Sequence, residues 1–184
     1  MPLDVAALQI INYPDARLRK ACGVVERFDE ELAALAERMF LLMRQHEGVG
    51  LAAPQLGVLL RMFICNPTGD PKDDHVYVNP RLTDFVDQAD REEGCLSIPD
   101  VTVNVRRPLS CRIHAFDLQG RPIEEAGSDL LARCWQHECD HLEGRLIIDR
   151  MSESDKIANR KAIRQLEADH ESKIRRGGHK KIAY

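Results

Sequence analysis

The chain has 184 residues, of which 43% are apolar and 30% charged, with a formal net charge of −4. That is enough for one globular domain with a sizeable core, and it gives no general case for nucleic-acid or membrane binding. No 18-residue apolar run occurs, which argues against a transmembrane helix. The charge is uneven, however. Residues 151–184 hold nine Lys/Arg against five Asp/Glu, so the end of the chain is basic and the rest acidic. Met1-Pro-Leu-Asp lacks a basic segment followed by an apolar one, so no signal peptide is expected and a cytoplasmic location is. The six cysteines are scattered without a C-x-x-C pair. They read as reduced thiols, mostly small buried hydrophobes.

In chain order, Ile10–Asp15 reads as a short extended piece turning at Pro14, and Ala16–Ala21 as a turn or two of helix. Asp29 is a good N-cap. Leu32, Leu35, Met39, Leu42 and Met43 then repeat with helical period, predicting an amphipathic helix to about Gln45. Gly48-Val-Gly-Leu-Ala-Ala-Pro-Gln55 predicts a tight loop with exposed backbone rather than a helix start. It is either a plain connection or a loop that approaches a substrate, with Gln55 offering an amide. Leu59–Cys65, His75–Asn79 and Arg81–Asp87 read as strands. Arg91–Pro99 contains Cys95 beside a glycine; alone, that reads as a buried structural cysteine. Val101–Val105, Leu109–Phe116 and Pro122–Ala126 predict further, antiparallel strands, and Gly144–Ile148 a brief one. Ser152 caps a last helix expected to end near Ala168, and Arg175–Lys181 reads as a loose basic tail. The whole predicts an α+β fold, with short, mostly antiparallel strands around a central helix and a C-terminal helix. Residues 1–170 are expected to form one domain and 171–184 a tail.

The central helix carries the chemistry. Ser128 and Asp129 start it and Gly144 ends it. Within it lies His137-Glu-Cys-Asp-His141, an H-E-x-x-H pattern. Residues i and i+4 share a helix face, so both imidazoles can reach one metal ion. Glu138, a residue round the helix, can touch a water on that metal without ligating it. Leu130 and Cys134 continue the same stripe as an apolar wall. Two histidines on a helix can also be ordinary structural residues. A catalytic metal also needs a third ligand, which this stretch does not supply.

Gly48–Gln55, Glu93-Gly-Cys-Leu-Ser97 and Gln136–Gly144, in this order, resemble the three signature motifs of the peptide deformylases. The similarity covers roughly residues 2–168. It implies that Cys95, His137 and His141 hold one divalent ion, Fe(II) in the cell, with Zn(II), Ni(II) or Co(II) able to substitute. It implies an N-formylmethionyl nascent peptide as substrate and formate as product. Glu138 would be general base and then general acid, while Gln55 and the N–H of Leu96 stabilise the formyl oxygen. Val49, Gly50 and Gly94 would offer backbone edges to the peptide as an added strand. The methionine side chain would lie beside Val49, Leu130 and Cys134. Glu93 would sit near that pocket and pair with Arg107, and Asp140 would orient the helix or a ligand. Some relatives dock on the ribosome through a C-terminal helix, which the basic end here permits. Arg133 departs from the pattern, standing one residue before Cys134 where some members have an apolar pocket residue. Two other readings remain at this point. One is a metallopeptidase drawing its third ligand from His170 or His179. The other is a structural zinc site closed by Cys139 or Cys134.

Overall fold

A computed structural model describes residues 3–178. Helix α1, Glu30–Gln45, starts where Asp29 accepts the N–H of Leu32 at 3.2 Å, and it buries the apolar stripe expected of it. Strands β1 (Gly50–Ala52), β2 (Met62–Cys65) and β3 (His75–Val86) follow. Next come β4 (Ala89–Cys95), β5 (Ile98–Arg107), β6 (Ser110–Phe116) and β7 (Pro122–Ser128). Helix α2 is Asp129–Leu142 and α3 is Glu153–Gly178. Five strands form one sheet in the order β1-β2-β3-β6-β7, and β4 and β5 form a separate hairpin; all these pairings are antiparallel. No helix among the described residues is long and apolar enough to cross a membrane.

Several expectations need correction. His75–Asn79 and Arg81–Asp87 are one strand, not two. Pro80 lacks an N–H and reads as a strand end, but β3 runs through it with a shift of register between Val78 and Arg81. At that bulge Asn79 adopts φ 52° and its amide exchanges two 2.9 Å hydrogen bonds with the backbone of Val25. The Gly48–Gln55 stretch is not all loop: Gly50–Ala52 pairs with β2, and Ala53–Leu56 forms a 3₁₀ turn with Pro54 near its start. The apolar run after Gly144 makes no strand. It turns, then forms a 3₁₀ helix at Ile147–Arg150, where Asp149 accepts the N–H of Leu146 at 2.8 Å. Helix α3 continues well past Ala168. Its apolar side (Ala162, Ile163, Leu166) rests on the cluster around β5, and Asn159 bonds the backbone of Thr102. The expected loose tail therefore lies partly in α3; residues 179–184 fall outside the described residues.

Helix α2 lies between the sheet and the hairpin. Trp135, fully buried, meets the edge of Tyr77 with ring centroids 5.6 Å apart. Gly127 on β7 gives it room: a Cβ there would stand 2.6 Å from a ring carbon. Ser128 has the extended backbone of an N-cap, but its side chain makes no capping bond. Packing rather than capping sets the start of this helix.

Candidate active site

The hairpin brings Cys95 to α2. Between Glu93 and Cys95 the β4–β5 pairing shifts register, so that Glu93 faces Val103 and Cys95 faces Ile98. Such a bulge re-aims side chains, and here it accompanies a Cys95 Sγ only 3.3 Å from His141 Nε2. The His137 and His141 rings stand 5.0 Å apart. Cys95, His137 and His141 each present a ligand atom, all within 4.8 Å of one another.

The side chains of this cluster are held from behind. Glu93 accepts from His137 Nδ1 at 3.1 Å, which leaves Nε2 for the site. Arg107 donates to both oxygens of Glu93, at 2.6 and 2.9 Å, and to Asp140 at 2.8 Å. Arg133 adds a 2.7 Å contact to Glu93 and bonds the carbonyls of Val105 and Ala89. Burial alone would raise the Glu93 carboxyl, but His137 and Arg107 hold it well below the usual carboxylate range. Burial opposes charge on His137 too, yet Cys95, Glu93 and Glu138 hold its pKa well above normal. Surroundings that hold a proton there also suit a cation. His141 is pushed well below normal, first by burial and then by His137 and Arg107, so its imidazole is neutral and able to ligate. Thiolate and imidazole are good ligands for a divalent transition metal.

Glu138 is buried and its Oε2 has no hydrogen-bond partner. Burial raises its pKa to about 7, with His137 and Arg107 opposing. Gln55 is fixed at both ends of its amide. Oε1 accepts the N–H of Ala52 at 2.8 Å, while Nε2 points to Ser97 Oγ at 3.2 Å and Cys95 Sγ at 3.6 Å. One cavity of about 370 Å³ is lined by Val49, Gly50, Gln55, Glu93, Gly94, Cys95, Leu96, Leu130, Cys134, His137 and Glu138. Those are all the expected site residues except His141, which lies behind Cys95. The other suggested ligands do not converge. Cys139 opens into a different hollow, Cys134 turns its Sγ toward the carbonyl of Val49, and His170 lines a groove beside α3. His179 lies outside the described residues. The geometry gives Arg133 a role that the sequence did not. Arg133 is not a pocket lining alone but a second cation on Glu93, and no spacing rule links it to a carboxylate forty positions earlier.

The family model described as "Polypeptide deformylase" matches residues 7–157. The chain belongs to the peptide deformylase family. The peptide deformylase of Pseudomonas aeruginosa is 41% identical over 149 residues, 80% of this chain and 89% of that protein. That of Brucella suis is 40% identical, covering 89% of this chain and 95% of the relative. Among solved structures, a deformylase from Legionella pneumophila matches with a TM-score of 0.83 at 40% identity, over 89% of this chain and 96% of that one. The enzyme is therefore a metal-dependent hydrolase that removes the N-formyl group from new polypeptides.

Gly50 sets the reach of Glu138. A Cβ on Gly50 would stand 2.6 Å from both Glu138 Oε1 and Cys134 Sγ. Gly50→Ala is expected to displace the carboxylate and slow formate release by about 10². Metal content and thermal stability measured alongside should change little.

Proposed function

We propose the following division of labour for the deformylation. Cys95, His137 and His141 hold the divalent ion, and the peptide lies along the backbone edges of Val49, Gly50 and Gly94 as an added strand. That mode reads backbone, which suits an enzyme that must accept many different chains. The methionine side chain enters between Val49, Leu130 and Cys134. A divalent ion held by this triad supplies Lewis acidity, polarising the formyl carbonyl and acidifying a water. Glu138 takes the proton from the attacking water and delivers it to the departing amine. Gln55 Nε2 and the N–H of Leu96 donate to the formyl oxygen as it gains charge. Glu93, clamped by Arg107 and Arg133, keeps His137 in the tautomer that ligates through Nε2. We assign Fe(II) as the ion in the cell, with Zn(II), Ni(II) or Co(II) as substitutes compatible with a thiolate and two imidazoles.

The observation that carries this reading is the buried, unpartnered Glu138 Oε2 beside three convergent ligand atoms. A buried carboxylate with a free oxygen is poised to exchange a proton. Glu138→Gln keeps shape and volume and removes the base. It is expected to retain metal and fold while losing about 10²–10⁴ in turnover. Near-normal formate release from a formyl-Met-Ala-Ser peptide would assign the proton transfer to another group.

We further propose that α3 docks the enzyme on the ribosome. Arg160, Lys161 and Arg164 are exposed on the side away from the β5 cluster. Such a face binds phosphate backbones through counterion release, with steep salt dependence. Deleting residues beyond about 170 should leave turnover of a short formyl peptide intact and weaken ribosome co-sedimentation at low salt. Equal co-sedimentation of the full-length chain, the shortened chain and an Arg160→Ser/Lys161→Ser/Arg164→Ser variant would remove the docking role.

A further inference from the structure

The face of α2 turned away from the active site carries Gln136, Cys139 and Asp140, and Glu143 continues the stripe just past the helix end. It forms one wall of a hollow of about 590 Å³, closed on the other side by Arg81, Leu82 and Phe85 of β3. Five arginines line this hollow, Arg61, Arg81, Arg107, Arg145 and Arg150, against two acidic residues, Asp140 and Glu143. This concentration of positive charge runs against a chain whose net charge is −4.

Three of the arginines are already engaged. Arg61 bonds Glu143 at 2.6 Å, and Arg150 and Arg107 both bond Asp140 at 2.8 Å. The guanidinium groups of Arg81 and Arg145 make no hydrogen bond or ion pair among the described residues. The two acids are therefore spoken for, and two cations in the same hollow have no counter-charge. Arg107 is itself nearly fully buried, its side chain 3% exposed, so the hollow has a fixed cation at its base as well as the two at its rim. Beside them Phe85 leaves 54% of its surface exposed, on the open end of β3 where Val86 is exposed too. Guanidinium forks match phosphate oxygens, and an exposed ring offers a base a stacking platform.

We propose that this hollow is a second binding site, one that takes a phosphate group carrying a nucleobase. Arg81 and Arg145 grip the phosphate and Phe85 stacks on the base. The ligand is either a free nucleotide or one unit of a single-stranded RNA, and both present the same chemistry to the hollow. The site is separate from the deformylation pocket and from the outer face of α3. Arg107 lines the hollow and also holds Glu93, so an occupied hollow lies one side chain from the partner of His137.

The test compares the full-length, metal-loaded protein with an Arg81→Ser/Arg145→Ser variant. A control variant, Arg27→Ser/Lys72→Ser, removes two exposed cations elsewhere. The probes are inorganic phosphate, uridine monophosphate and a fluorescent ten-residue oligouridylate. The wild type and the control are expected to bind uridine monophosphate alike, and the Arg81/Arg145 variant at least about tenfold more weakly. If RNA is the natural source, the oligouridylate binds more tightly than the mononucleotide. Its salt slope should then fall by about 0.7 in the variant, the share of the one phosphate on a single strand that Arg81 and Arg145 grip together. Equal affinity of the oligonucleotide and the mononucleotide supports the site with a free nucleotide as its ligand. Phe85→Ser, an exposed change, should weaken the nucleotide but leave inorganic phosphate unchanged. The proposal is overturned if no probe binds the wild type, or if the control variant loses as much binding as the Arg81/Arg145 variant.

Discussion

The buried carboxylate of Glu93 is the constraint on which the site depends. It joins the β4–β5 hairpin to helix α2 by accepting from Arg107, Arg133 and His137. Its partners come from the end of β5 and from two turns of α2, so one acidic group fixes how strand and helix meet. A buried charge with three donors tolerates the loss of a partner poorly, because the remaining groups are left uncompensated away from water. The same contact holds the His137 ring in place and selects its tautomer. Fold and ligand geometry therefore rest on the same atoms.

Around that anchor the site separates charge by environment. Glu93 is ringed by cations and stays ionised, while Glu138, about equally buried, has no cation bonded to it and rises to about 7. One carboxylate is structural and the other is poised to exchange a proton, a division that burial and partners produce without any difference in residue type. Gly50 and Gly48 make the arrangement possible by their lack of side chains. One leaves space for Glu138 and Cys134, the other for Leu96, whose Cδ1 would lie 2.7 Å from a Cβ on Gly48.

Much of this was legible in the sequence because local rules decide it. Asp29 and the spacing from Leu32 to Met43 specify α1, and the i, i+4 spacing puts His137 and His141 on one stripe of α2. Where the structure differs, tertiary contacts outweigh the local signal. Pro80 suggests a strand end, yet Asn79 absorbs the irregularity in a bulge by bonding Val25. The run Leu146–Ile148 has strand-like residues but buries them through a 3₁₀ turn. Helix α3 outlasts its expected end because its polar last turns need only solvent, not a core. Cys95 could not be assigned by spacing, since a lone cysteine far from the histidines comes within reach of them only through hairpin topology; the family resemblance supplied it. Arg133 was visible as a departure, but its partner was not.

The central claim is that Cys95, His137 and His141 together hold the ion that the reaction requires. Cobalt(II)-loaded protein tests it most directly, because a thiolate ligand gives a sulfur-to-cobalt charge-transfer absorption that nitrogen and oxygen ligands do not. The wild type is expected to bind stoichiometric cobalt and show this band, and Cys95→Ala to lose the band, most of the metal and formate release together. A Cys95→Ala protein that retains the band and its full metal content would place the sulfur ligand elsewhere and contradict the account.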